Sequence, residues 1–193
     1  MLAKLEDLYK ESIQTRIASH SLLPQIQQAA ESILAALLRG NKIIACGYGR
    51  SYANAQVLVA NLLNRYELKR PSFPSVLLSA DSAISAAFVA DQAFDKLYQQ
   101  QFNAIAQTGD LLVAFVPAMD DQLALNTISH AVSKEINVIA LTASTNDYID
   151  GVLTENDLII AVPSQKESRV LENHLFIANA ICELIDHQLF SQV

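Results

Sequence analysis

The run Gly47-Tyr48-Gly49-Arg50-Ser51 carries the clearest chemical signal in this chain. The apolar residues Ile43-Ile44-Ala45-Cys46 precede it, and an apolar helical pattern from Val57 to Leu63 follows. That order predicts a strand, a tight glycine turn and a helix N-terminus. Such a turn aims unpaired N–H groups and the positive end of a helix dipole at one point, where a phosphate can sit. The glycines also suit a tight turn that holds no ligand. Arg50 could grip a phosphate through paired hydrogen bonds. It could equally pair with Asp120 or Asp121 and seal an empty pocket, and the presence of both acids favours sealing.

Other candidates are sparser. Glu172 and His174 are two residues apart, so on a helix they face different ways. Glu172 is better placed to pair with Arg169, three residues away. His20, His130 and His187 stand alone in polar or helix-end contexts. Cys46 and Cys182 lie in apolar patterns with no Cys-x-x-Cys unit, as small buried thiols do. The segment Val116-Pro117-Ala118-Met119-Asp120-Asp121-Gln122 offers no hydroxyl and no glycine to an anion. Its two carboxylates would repel a phosphate, and they fit a helix N-terminus instead.

These residues need elements to hold them. Leu2, Leu5, Leu8, Tyr9, Ile13 and Ile17 recur at helical spacing, and a broad apolar stripe runs from Ile26 to Leu38. Pro24 opens that second helix and Gly40 closes it. From residue 41 onward, short apolar runs alternate with helical segments. The runs are Lys42–Cys46, Ser75–Ser79, Leu111–Val116, Asn137–Thr142 and Leu158–Val162. Helical patterns lie near 51–65, 82–107 with a break at Asp91, 119–134, weakly 147–153, and 167–190. Unbroken apolar strands alternating with helices predict a parallel sheet covered on both faces, in one three-layer α/β domain. Ser164-x-x-Glu167 reads as a capping box for the final helix. That helix is apolar over too wide a face to pack on one side only, so it is either central or in contact with another subunit.

Composition narrows the function. The 193 residues are 51% hydrophobic and 17% charged, with a formal net charge of −7. The only basic cluster is the pair Lys69-Arg70, too little to neutralise a nucleic-acid backbone. No long apolar run marks a signal peptide or a membrane span, and a cytoplasmic location follows by elimination.

With these features the chain resembles the sugar isomerase (SIS) domain family, in the branch of phosphoheptose isomerases and of proteins that associate with the replication initiator DnaA. The likeness spans nearly all residues, 1–193, as one domain: helices over 1–40 and an α/β core over 41–193. It rests on Glu11-Ser12-Ile13-Gln14-Thr15, on Gly47-x-Gly49-x-Ser51 with Ala53-Asn54-Ala55-Gln56, and on Asn64-Arg65-Tyr66-Glu67 and Arg70-Pro71-Ser72-x-Pro74. It continues through Ala140-Leu141-Thr142, Arg169-x-x-Glu172-x-His174 and Leu184-Ile185-Asp186-x-x-Leu189-Phe190. The first and last of these segments resemble the initiator-associating proteins more than the isomerases. The resemblance implies an αβα fold with a five-stranded parallel sheet in flavodoxin-like order and an N-terminal helical hairpin. It also implies a homotetramer, built partly from the N-terminal helices, that binds several DnaA molecules.

The resemblance also implies departures. The isomerases carry zinc and acid–base groups on two helices, and the matching positions here are Val57, Asn61, Leu171 and Asn179. None can bind zinc usefully or exchange a proton near neutrality, so no metal, no cofactor and no catalysis are expected. Gly47, Gly49, Arg50, Ser51, Asp120 and Asp121 then form a vestigial phosphosugar loop. Leu189 and Phe190, close to the chain end, are candidate anchors for the partner; packing of the helix end is an equal reading. Three functions remain in competition: a non-catalytic DnaA-binding assembly factor, a phosphosugar-binding regulatory module, and a divergent sugar-phosphate isomerase.

Overall fold

The computed structural model describes residues 1–118, 121–144 and 147–190, with the side chains of Ser82 and Asp147 also outside the description. Five strands form one parallel sheet: β1 (Ile43–Gly47), β2 (Ser75–Leu77), β3 (Leu111–Val116), β4 (Asn137–Ala143) and β5 (Leu158–Val162). Their order is β2-β1-β3-β4-β5. Every neighbouring pair is parallel; Ile43, for example, is in register with Ser75 on one side and Leu111 on the other. All five runs read from the sequence form strands, and the second is cut to three residues.

The helices are α1 (Leu2–Ala18), α2 (Leu23–Leu38), α3 (Tyr52–Leu63), α4 (Ser82–Ala90), α5 (Leu97–Ile105), α6 (Gln122–Ser133), α7 (Asp147–Asp150) and α8 (Glu167–Phe190). Pro24 lies in the first turn of α2, and Gly40 after it has φ +82°, which suits glycine at a helix end. The break at Asp91 is real. Gln92 takes φ +55°, and a 3₁₀ turn, Phe94–Lys96, leads into α5.

Strand side chains alternate between faces, and each face builds its own core. Ile43, Ala45, Val113, Phe115, Leu141 and Ile160 pack against α2, α3 and α8. Ile44, Cys46, Leu112, Ala114, Val138 and Ala140 pack against α5 and α6. A sheet covered on both faces can be apolar throughout, which explains the unbroken runs.

Helix α8 resolves the question raised by its wide apolar face. It packs against both α2 and α3 and still leaves Leu175, Phe176 and Leu184 exposed. Helix α1 is unusual in the opposite sense. It docks on α8 through polar groups: Glu11 with Lys166 at 2.8 Å and Arg169 at 3.5 Å, Ser12 with Glu172 at 3.0 Å, and Arg16 over the Phe176 ring at 4.0 Å. Its stripe of Leu2, Leu5, Tyr9, Ile13 and Ile17 points outward, and Thr15 is the buried residue of the helix. The capping box does not form as expected. Ser164 Oγ accepts from the N–H of Lys166 at 3.2 Å, while the Glu167 carboxylate turns to Arg50.

Candidate functional site

Strand β1 has β2 on one side and β3 on the other, so the loops leaving β1 and β3 diverge at the carboxyl edge of the sheet. Open parallel sheets bind ligands in the crevice made there. The loop after β1 is held tightly. A Cβ on Gly47 would lie 2.8 Å from the Ser51 carbonyl oxygen, so only glycine fits. Gly49 has φ +60°, where side chains are strained. Ser51 is fully buried, and its hydroxyl donates back to the Tyr48 carbonyl at 2.9 Å. The Ser51 hydroxyl therefore closes the turn. From below, Tyr98 donates to the Gly47 carbonyl at 2.8 Å, and Tyr48 meets Phe94 edge-on at 5.9 Å.

Arg50 pairs with a carboxylate at the start of the last helix. Its Nη1 lies 2.5 Å from Glu167 Oε2, at the start of α8, and its side chain is 77% exposed. The link joins the β1 loop to α8. Asp121 is the N-cap of α6, its Oδ1 accepting from the Ala124 N–H at 3.1 Å. Asp120 lies outside the described residues.

The four departures named above are brought to one place, the contact between α3 and α8. Asn61 Nδ2 donates to Asn179 Oδ1 at 3.2 Å, and about two turns earlier Asn54 donates to the Leu171 carbonyl at 3.1 Å. Val57 and Leu171 are half-buried beside them. These side chains do not fit a zinc ion. Two neutral amides that satisfy each other and two alkyl groups supply no anionic or imidazole ligand. Among the described residues, no three His, Cys, Asp or Glu side chains cluster as metal ligands would.

The titratable groups nearby are set against acid–base work near neutrality. His174 is fully buried, edge-on to Phe115 at 5.9 Å, with Nε2 3.3 Å from the Thr142 carbonyl. A carbonyl only accepts, so Nε2 carries the proton. Burial lowers its pKa to about 4, against a smaller opposing effect of that hydrogen bond. Burial also raises the Cys46 thiol, and Cys182 is pushed up to about 12, chiefly by burial. Glu172 pairs with Arg169 at 2.7 Å, as the three-residue spacing indicates.

Sequence reasoning missed the buried pair beside this contact. Arg70 Nε lies 2.6 Å from Asp186 Oδ1, with both side chains out of solvent. The same guanidinium donates to the carbonyls of Asn61, Leu62 and Pro71 and lies 4.0 Å from the centre of the Phe73 ring. It straps the segment after α3 to the end of α8. The available signal was Asp186 itself, a carboxylate on the apolar stripe of Cys182, Ile185 and Leu189. Leu189 packs against the core, and Phe190 beyond it is half-buried.

A parallel sheet in this order, a glycine turn at its switch point and a helix pair behind that turn define the sugar isomerase class of domains. The chain belongs to the SIS domain family, whose pattern matches residues 9–143. Over 98% of its length it is 37% identical to a phosphoheptose isomerase of Alteromonas mediterranea, covering 96% of that protein. Over the same share it is 37% identical to the DnaA initiator-associating protein DiaA of Yersinia enterocolitica, covering 97% of it. The structure of phosphoheptose isomerase GmhA from Neisseria gonorrhoeae superimposes with TM-score 0.89 at 28% identity, over 96% of this chain and 98% of that one. Relatives with both kinds of name are thus equally similar, and overall likeness does not separate the enzyme from the binding protein. Among the described residues, no helix is long and apolar enough to cross a membrane.

Proposed function

We propose that this protein is a non-catalytic assembly factor of the cytoplasm that binds the replication initiator DnaA as a homotetramer. The observation that carries this reading is the Asn61–Asn179 hydrogen bond. It occupies the α3–α8 contact where the resemblance to the isomerases places metal and proton-transfer groups. Amides have no pKa near neutrality and cannot shuttle a proton between adjacent carbons of a sugar. A fold that keeps its core without this chemistry is useful for its surface.

Helix α1 supports the oligomeric part of the reading. Its apolar residues face outward while its polar residues dock inward, the reverse of a helix that ends its packing within one chain. Beside it, apolar clefts of about 330 and 500 Å³ open between α2 and α8, sharing Leu23, Ile26 and Phe176. Several initiator molecules held on one tetramer would have a raised local concentration, which strengthens assembly without any new contact. Leu189 and Phe190, both half-buried, remain the proposed anchors.

Two assays test the reading together. Sedoheptulose phosphate is expected to show no turnover, and purified DnaA is expected to bind. Turnover on the order of 1 per second or faster would make the protein an enzyme, and absence of DnaA binding would remove the proposed partner. The tight turn at Gly47 and Gly49 keeps a second reading in view, a module that binds a phosphosugar without converting it. Calorimetric titration with a sugar phosphate distinguishes that reading.

A further inference from the structure

Helix α4 is apolar and almost unused by the rest of the fold. Residues 82–90 contain no charged side chain, and none of the described residues among them is buried. Ala83, Ile84, Ala86, Ala87, Val89 and Ala90 are exposed, while Phe88 packs against the α5–α6 core. A nine-residue helix is too short to be stable by itself, and this one is held through half-buried Ser85 and Phe88, the 3₁₀ turn that follows and its Asp81 cap. The cap is well made: Asp81 Oδ1 accepts from the Ile84 N–H at 3.2 Å.

We propose that α4 is a docking surface for a partner protein that presents an apolar helical face bracketed by lysine or arginine. The charges choose between this partner and a second copy of the chain. Asp81 stands at one end of α4, Asp91 at the other and Asp95 just beyond, and residues 71–95 contain no Lys or Arg. Two copies laid α4 against α4, parallel or antiparallel, would bring carboxylate against carboxylate, and like charges at an interface are costly. The outer part of α1 differs, since exposed Lys4 and Lys10 are interspersed with exposed Glu6 and Asp7, which suits contact with itself. A partner with a basic rim meets the Asp residues favourably, and the alanines let its backbone approach closely. The surface adjoins the glycine turn, because Phe94, just after α4, meets Tyr48 edge-on.

This inference rests on the DnaA-binding reading and assigns that partner a second contact surface besides Leu189 and Phe190. The test measures binding of purified DnaA to the full-length protein by surface plasmon resonance, for wild type, Ala87→Glu and Asp91→Lys. Both substituted residues are exposed, and a thermal melt of each variant checks the fold. Ala87→Glu is expected to weaken binding at least tenfold, by setting an unpaired carboxylate in an apolar contact. Asp91→Lys, which leaves the helix packing alone, is expected to slow association and flatten its salt dependence. Unchanged binding by both variants, with wild type binding DnaA, would overturn the surface and leave the function standing. No binding by wild type would remove both. A photoreactive residue at position 87 is expected to cross-link to DnaA; cross-linking between two copies of this chain instead would overturn the choice of occupant.

Discussion

Acid is expected to destabilise this protein in part through His174. In the native state its imidazole has no exposure to solvent, and its pKa is about 4. In the unfolded chain it returns to roughly 6.5, the ordinary value. Between these two values the unfolded chain takes up a proton that the native chain refuses. Stability therefore falls as pH drops from about 6.5 towards 4, and the contribution is constant at higher pH. Going from pH 7 to pH 5, the difference in proton uptake amounts to about 2 kcal/mol lost from the native state. Other groups titrate over the same range, so the measurement is a comparison with His174→Gln. Glutamine still offers an N–H to the Thr142 carbonyl and does not titrate. Urea unfolding of both proteins at the two pH values gives four free energies. At pH 7 the variant is expected to be the less stable, having lost the edge contact with Phe115. At pH 5 that deficit is expected to shrink by about 2 kcal/mol or to reverse. Parallel dependence of the two proteins on pH would refute the reasoning and mean that the imidazolium is accommodated where it lies.

Three further outcomes are expected. Asp186→Ala removes one half of a buried pair and leaves the Arg70 charge without its partner, so a loss of about 3–5 kcal/mol is expected in denaturant unfolding; a change below 1 kcal/mol would show that water reaches Arg70. Deleting residues 1–20 takes away the outward stripe of α1 and is expected to give aggregates or species smaller than a tetramer in light scattering, whereas a full-length chain that is monomeric at micromolar concentration would contradict the proposed assembly. Phe190→Ala is expected to weaken DnaA binding while lowering stability by less than the roughly 3–5 kcal/mol of a fully buried phenylalanine, and unchanged affinity with unchanged melting would remove Phe190 from the contact.

Much of the architecture was legible because it follows from local periodicity. Residues 111–116 and 138–141 are apolar without alternation, as a strand covered on both faces allows, and they form β3 and the body of β4. Pro24, Gly40 and Asp91 mark helix boundaries through backbone constraints that act within a few residues. The identities of Val57, Asn61, Leu171 and Asn179 were plain too, since an absent imidazole or carboxylate needs no coordinates. Partners more than a hundred residues away were not legible. Arg50 carries no mark in the sequence that points to Glu167, 117 positions away; that pair depends on where α8 begins relative to the β1 loop. Arg70 and Asp186 are 116 positions apart and meet because α3 and α8 lie side by side. The outward direction of the α1 stripe was likewise decided by tertiary contacts, because Glu11, Ser12 and Arg16 claim the face that meets α8. Short-range sterics and burial fixed the elements in the sequence; the pairing of charges waited for the helices to be placed, because an ion pair is set by distance in space and leaves no period in the chain.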